Sequence, residues 1–299
     1  MNNNTSAAAL TLGTVVYTVK DYEAAYLFFK QNLDAQLQAS GMSPADMLVD
    51  EEKKQAYHGM ISNEALQQLL LAATLENILR EEGLTLDAKA LDTMLADSGT
   101  ALGGAEAFDA MLSQLHMDRD QLKKLMLAPE LMVQQLRETY AVSRADELRA
   151  MFESKYLRAK HILLKEDAGT SSREAEAREL AEQARNGADF DALIAQHGED
   201  PGMAANATGY VFPEGQMVQE FYEGTLALEL NAISDPVRTS YGWHIIQRLP
   251  LDEEIYQAHT QELQQDFIGV TLDSWLAHHQ PVMNPDVQEI TAETILGAN

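Results

Sequence analysis

The sequence predicts an α+β protein in which a mainly helical module is interrupted by a smaller α+β domain. Three observations lead there. From about Asp21 to Tyr156 apolar residues recur at three- and four-residue steps, the helical period. At Arg158 the pattern changes, and two strand-like runs, "AKHILLK" and "GWHIIQRL", bracket about ninety residues of short helices and loop. From Asp252 the helical period returns, with Leu263, Phe267 and Val270 spaced for one face.

In chain order, the opening "MNNNTSAAALTLG" is small and polar, and residues 1–12 read as a flexible tether. It lacks the basic and apolar regions of a signal peptide. "TVVYTV", Thr14 to Val19, is an isolated strand signal in an otherwise all-helical module spanning 13–155. "DYEAAYLFFKQNLDAQLQA" stripes Tyr22, Ala25, Tyr26, Phe29, Leu33 and Leu37 along one face. "NEALQQLLLAATLENILREEG" is a Leu-dense helix closed by Gly83, Asp118 is a cap for "DRDQLKKLML", and Ser143 with Asp146 resembles a capping box. Residues 251–299 are a helix and tail expected to pack back on this module, with "MNPDVQEI" extended.

Within 156–250 the order reads strand, two helices, a Gly, Pro and Asn-rich loop, a short helix with Pro213 near its start, and two strands around a turn. Ser171 or Ser172 caps the first helix and Gly187 closes it. Each bracketing strand carries a histidine ahead of aliphatics, His161 and His244, about eighty residues apart.

Composition excludes several functions. The balance of 21 basic against 47 acidic residues gives a net charge of -26, which repels nucleic acid and anionic membrane faces. With no cysteine there is neither a disulfide framework nor a thiolate nucleophile, and the compartment is left open. No nucleophile elbow, phosphate loop or dinucleotide fingerprint occurs, so no cofactor is expected. Adjacent His278 and His279 point about 100° apart on a helix, which argues against a metal and for solvated surface. Met94, Met111, Met117, Met126 and Met132 suggest either core packing or an adaptable apolar cradle.

The blocks "AKHILL", "DPGMAANATGYVFPEGQMVQEF" and "ISDPVRTSYGWHII", in that order, resemble a parvulin-type peptidyl-prolyl isomerase domain of FKBP-like βαααββ topology. The helical segment before them is similar to the chaperone module of PrsA- and SurA-like extracytoplasmic foldases. The resemblance implies that His161 and His244 lie side by side beneath a bound peptide. It places Asp200 beside the isomerising carbonyl, has Thr239 bridge toward the histidines, and makes Met217 and Phe221, four apart on the short helix, the proline cup. Taken singly, each has a structural reading as well: strand-start histidines, helical core packing, and Asp turn chemistry before Pro201.

Two departures stand out. Gly209 replaces a leucine expected in the pocket wall, with Tyr210 able to fill it, and Tyr241 stands where a smaller hydroxyl is expected. Lys165 is followed by Glu166 and Asp167, which argues against phosphate-directed specificity.

The expected function is isomerisation of X-Pro bonds in unfolded, exported polypeptides together with chaperoning. The expected setting is extracytoplasmic, with membrane attachment only through a removed N-terminal lipid anchor. Nucleic acid is not an expected partner, and a homodimer is left open. The rival readings are a holdase with a weak isomerase domain, favoured by Gly209 and Tyr241, and a scaffold that docks one folded partner.

Overall fold

The structure is a computed structural model that describes residues 5–166 and 172–297. The expectations for Asp167 and for a Ser171 cap lie outside the described residues. The chain divides into two compact units, one formed by residues up to 143 together with those from 265 onward, the other by 144–264.

In the first unit, strands β1 (Ala8–Leu12) and β2 (Val15–Thr18) form an antiparallel hairpin. Thr18 then caps α1 (Val19–Ala39) in a reciprocal box with Asp21. Asp50 caps the long α2 (Glu51–Glu81). The helices α3 (Ala88–Ala101), α4 (Ala105–Gln114) and α5 (Arg119–Leu122) follow, and Asp118 caps the last. A π-helical turn at Lys123–Leu127 joins α5 to α6 (Ala128–Ser143). The Gln68 side chain reaches across from α2 to donate to the Leu125 carbonyl of that turn. Tyr17, Tyr22, Ile61, Leu69 and Leu125 are almost fully buried at the centre.

The chain beyond residue 265 completes this unit. Strand β7 (Val282–Met283) pairs with the free edge of β1, Leu10 opposite Met283 and Thr11 opposite Val282. Asn284 N–H donates to the Ala9 carbonyl at 2.9 Å, and Val287 and Ile290 enter the core.

Several sequence expectations are corrected here. The tether ends by residue 8, because Ala9, Leu10 and Leu12 alternate into the core as the central strand of the sheet β2-β1-β7. The module is therefore helical with a small sheet, not all-helical. Ser143 ends α6 instead of capping α7 (Ala145–Lys155), which opens at Arg144 without a side-chain cap. "MNPDVQEI" is a 3₁₀ turn over Pro285–Glu289, with Asn284 accepting from Asp286 N–H. Val270 on α12 (Glu253–His278) is exposed, and Ile268 is buried in its stead. Met117 and Met132 are core residues of two separate clusters, and Met111 and Met126 pack half-buried against the one that holds Met117, so these four methionines read as packing and not as an open cradle; Met94 is half-buried outside both clusters. His279 stacks on Trp275 at 3.7 Å between ring centroids.

The second unit is built on the antiparallel sheet β4-β3-β6-β5, comprising β3 (Tyr156–Lys165), β4 (Tyr210–Pro213), β5 (Val237–Thr239) and β6 (Gly242–Leu249). Period-2 alternation sends Ile162, Leu164 and Ile245 to one face, beneath α8 (Glu174–Arg185) and α9 (Phe190–His197). Leu157, Ala159 and Ile246 face the other way, toward α11 (Gln219–Leu226). The loop read between the helices holds the short α10 (Pro201–Ala205) and strand β4, both missed in the sequence because Gly, Asn and Pro dominate it. Pro213 ends β4 and does not start a helix: Gly215 at φ +81° turns the chain, and α11 begins only at Gln219. Met217 thus precedes the helix that carries Phe221.

Candidate active site

The central β3–β6 ladder sets the site. Leu163 pairs with His244 and His161 with Ile246, so both imidazoles emerge on the α11 side of neighbouring strands, buried to 6% and 5% exposure. Their ring centroids are 5.0 Å apart, edge to face, and the Phe221 ring lies 5.1 Å from one and 5.4 Å from the other.

Asp200 caps α10, its Oδ1 accepting from Gly202 N–H at 2.9 Å. That leaves Oδ2 to face the sheet. Tyr210 donates its hydroxyl to Oδ2 at 2.8 Å and stacks beside His161, and His161 Nε2 lies 3.1 Å from the same oxygen. This last contact is at ion-pair distance but is not aligned as a hydrogen bond. Beyond the second histidine, Thr239 Oγ1 is 2.9 Å from His244 Nε2 and accepts from Tyr241 N–H at 3.1 Å. The Thr239 hydroxyl thus bridges the Tyr241 amide and the His244 ring, whose Nδ1 is buried without a hydrogen-bond partner.

Burial lowers both imidazoles. His244 is brought down to about 3, first by burial and then by the neighbouring His161. His161 is also lowered by burial, against the opposing pull of Asp200. Burial and the Asp200 hydrogen bond push Tyr210 up to about 12. At neutral pH both histidines are uncharged.

Above these groups opens a cavity of about 470 Å³ lined by His161, His244, Asp200, Tyr210, Met217, Phe221 and, at its rim, Tyr241. All the residues singled out in the sequence converge here; Thr239 stands behind His244 and not in the wall. Gly209 is not in the wall either. Its φ is +101°, and a Cβ there would sit 3.1 Å from the Ala159 carbonyl oxygen, so the backbone of the β3–β4 junction demands glycine. Lys165 and Gln216, which also line the cavity, carried no signal in the sequence that marked them.

The fold and site define a class. Residues 140–249 match the family profile of the PPIC-type PPIase domain. Over 57% to 68% of its length the chain is similar to PrsA foldases. It is 27% identical over 207 residues to the foldase protein PrsA of Oceanobacillus iheyensis, covering 68% of this chain and 64% of that protein. It is 34% identical over 128 residues to the chaperone SurA of Nitrosococcus oceani, covering 40% of this chain and 30% of that one. Each match thus spans less than two thirds of the relative's length. Among solved structures, PrsA from Bacillus anthracis aligns over 71% of this chain and 96% of that one at 19% identity with a TM-score of 0.34. Pin from the psychrophilic archaeon Cenarchaeum symbiosum aligns over 32% of this chain and 94% of that one at 29% identity with a TM-score of 0.28.

Proposed function

We propose that the chain is a peptidyl-prolyl cis-trans isomerase and folding chaperone that acts on unfolded, proline-containing polypeptides outside the cytoplasm. The carrying observation is the convergence of His161, Asp200 and His244 beside the Met217–Phe221 cup in one cavity. The PrsA and SurA relatives support the chaperone and extracytoplasmic parts of the reading. No helix among the described residues is long and apolar enough to cross a membrane.

Rotation about an X-Pro bond faces a barrier of about 18 to 20 kcal/mol, because the twisted amide loses resonance. Met217 and Phe221 hold the proline ring by apolar contact and leave the preceding carbonyl over the polar end of the cavity. The planar amide places partial negative charge on its oxygen. A carboxylate beside that oxygen disfavours the planar form and lets charge return to nitrogen, which lowers the cost of twisting. Tyr210 and the Gly202 amide fix the Asp200 oxygens for this task. The histidines, both neutral, with His244 held by Thr239 and His161 packed beside Asp200, act as a rigid platform, and no proton need leave either ring.

A protease-coupled assay on a prolyl tetrapeptide, with wild type and Asp200→Ala, tests the reading. A wild-type rate well above background that falls in the variant supports catalysis. Equal, near-background rates leave a holdase. Binding to reduced unfolded polypeptides in preference to native ones separates a chaperone from a scaffold.

A further inference from the structure

Strand β4 leaves β3 after Ala159 pairs with Tyr210, so the outer half of β3 has no strand on that edge. The segment from Gly198 to Ala207 covers it instead: Glu199 N–H donates to the Leu163 carbonyl at 2.9 Å, the Glu199 side chain accepts from Lys165 N–H at 2.7 Å, and Met203 sulfur lies 3.4 Å from His161 N. Outside this segment runs a second cavity, of about 610 Å³, walled on its far side by α9. Its floor is apolar, with Ile194, Ala195, Ala204 and Ala207, and the Lys160–Asp191 pair at 2.6 Å closes one end. Lys165, Asp200 and Pro201 line both this groove and the catalytic cavity, so the Asp200–Pro201 turn is a shared partition.

We propose that this groove is an extended subsite for the client polypeptide, seating an apolar side chain a few residues away from the proline whose bond lies in the catalytic cavity. This rests on the isomerase reading of that cavity. Continuity selects the occupant: a chain lying over His161 and Asp200 that passes the Asp200–Pro201 turn enters the groove directly, with each residue adding about 3.3 to 3.6 Å of reach. The floor chemistry selects an aliphatic or small aromatic side chain. Glu199 is held by Arg173 at 2.6 Å, so it presents no unpaired charge to repel one. The groove makes affinity depend on sequence beyond the prolyl dipeptide, which suits an enzyme choosing among unfolded segments.

The test uses the full chain and a prolyl tetrapeptide extended on either side by alanines, with one leucine moved through successive positions. One leucine position is expected to raise kcat/KM and to tighten Kd, read by fluorescence anisotropy, by about tenfold over the all-alanine peptide, the scale of partly burying one such side chain. Ala195→Glu and Ala207→Glu, both at exposed groove positions, are each expected to abolish that gain while the bare tetrapeptide turns over as in wild type. A gain absent at every leucine position, or one that survives both substitutions, overturns the groove. Loss of turnover alone, with the leucine gain in Kd still present and still sensitive to the two substitutions, overturns the isomerase reading and leaves the groove standing.

Discussion

Tyr210 and Asp200 are joined by a 2.8 Å hydrogen bond across ten residues of chain, and the joined pair stands between His161 and the rim of the catalytic cavity. The bond spends one lone pair of Oδ2 on a fixed donor, so the carboxylate cannot swing away from the imidazole. Tyr210 is able to take this place because the glycine before it turns the chain into β4 at positive φ.

Removing that donor while keeping the ring is the sharpest probe of the network. Tyr210→Phe is expected to lower kcat/KM by about tenfold, the scale of one hydrogen bond to a charged group, with little change in thermal midpoint. Asp200→Asn, which keeps the shape and loses the charge, is expected to cost more. Steady-state rates on the prolyl tetrapeptide decide both, and a Tyr210→Phe enzyme as fast as wild type would show the bond to be idle.

Folding lowers His244 from its ordinary value near 6.5 to about 3. The unfolded chain therefore binds one more proton than the folded chain between those limits, and stability falls as pH drops through that window. The slope from this group approaches 1.36 kcal/mol per pH unit within it. Urea unfolding at pH 4 to 7 is expected to show a shallower pH dependence in His244→Gln than in wild type. An unchanged slope in the variant would place the proton uptake elsewhere.

Because burial lowers both imidazoles, neither changes charge above pH 7. The rate of isomerisation is expected to be flat from pH 7 to 8 in wild type. A histidine-dependent inflection in that range, absent in His161→Gln or His244→Gln, would contradict a neutral platform.

Gly242 opens β6 at φ +140°, where an added Cβ would drive into the Leu164 carbonyl of the neighbouring strand. Gly242→Ala is expected to destabilise by about 1 to 3 kcal/mol, since neither backbone is free to move within the ladder. Chemical denaturation measures the loss, and amide exchange at Leu163 and His244 is expected to report the ladder opening.

Val287 is fully buried among the residues that close the first unit. Val287→Asp places an unpaired carboxyl there, and a fall in stability of about 3 kcal/mol or more is expected from the thermal midpoint. A near-neutral substitution would mean that the segment after β7 does not complete the core.

Much of the second unit was legible in the sequence because its signals are local. The alternation in "AKHILLK" and "GWHIIQRL" fixes which side chains share a sheet face, and period 2 alone puts His161 with Ala159 and His244 with Ile246. The resemblance carried by the three blocks of the sequence also implied that His161, Asp200, Met217, Phe221, Thr239 and His244 belong to one site. Strand β1 was not legible: a short run of small and apolar residues after a polar start looks like a tether until partners supply hydrogen bonds on both edges, and one of them, β7, lies about 270 residues later than the other, β2. The start of α11, the β4 strand and the backbone demand at Gly209 were hidden for the same reason, since each is settled by what packs against it. Only the tertiary structure could decide that His161, Asp200, Tyr210 and His244 meet in one cavity, and that a second groove shares its wall, because distances between side chains far apart in the chain are set by strand register and packing and not by any local preference of the residues themselves.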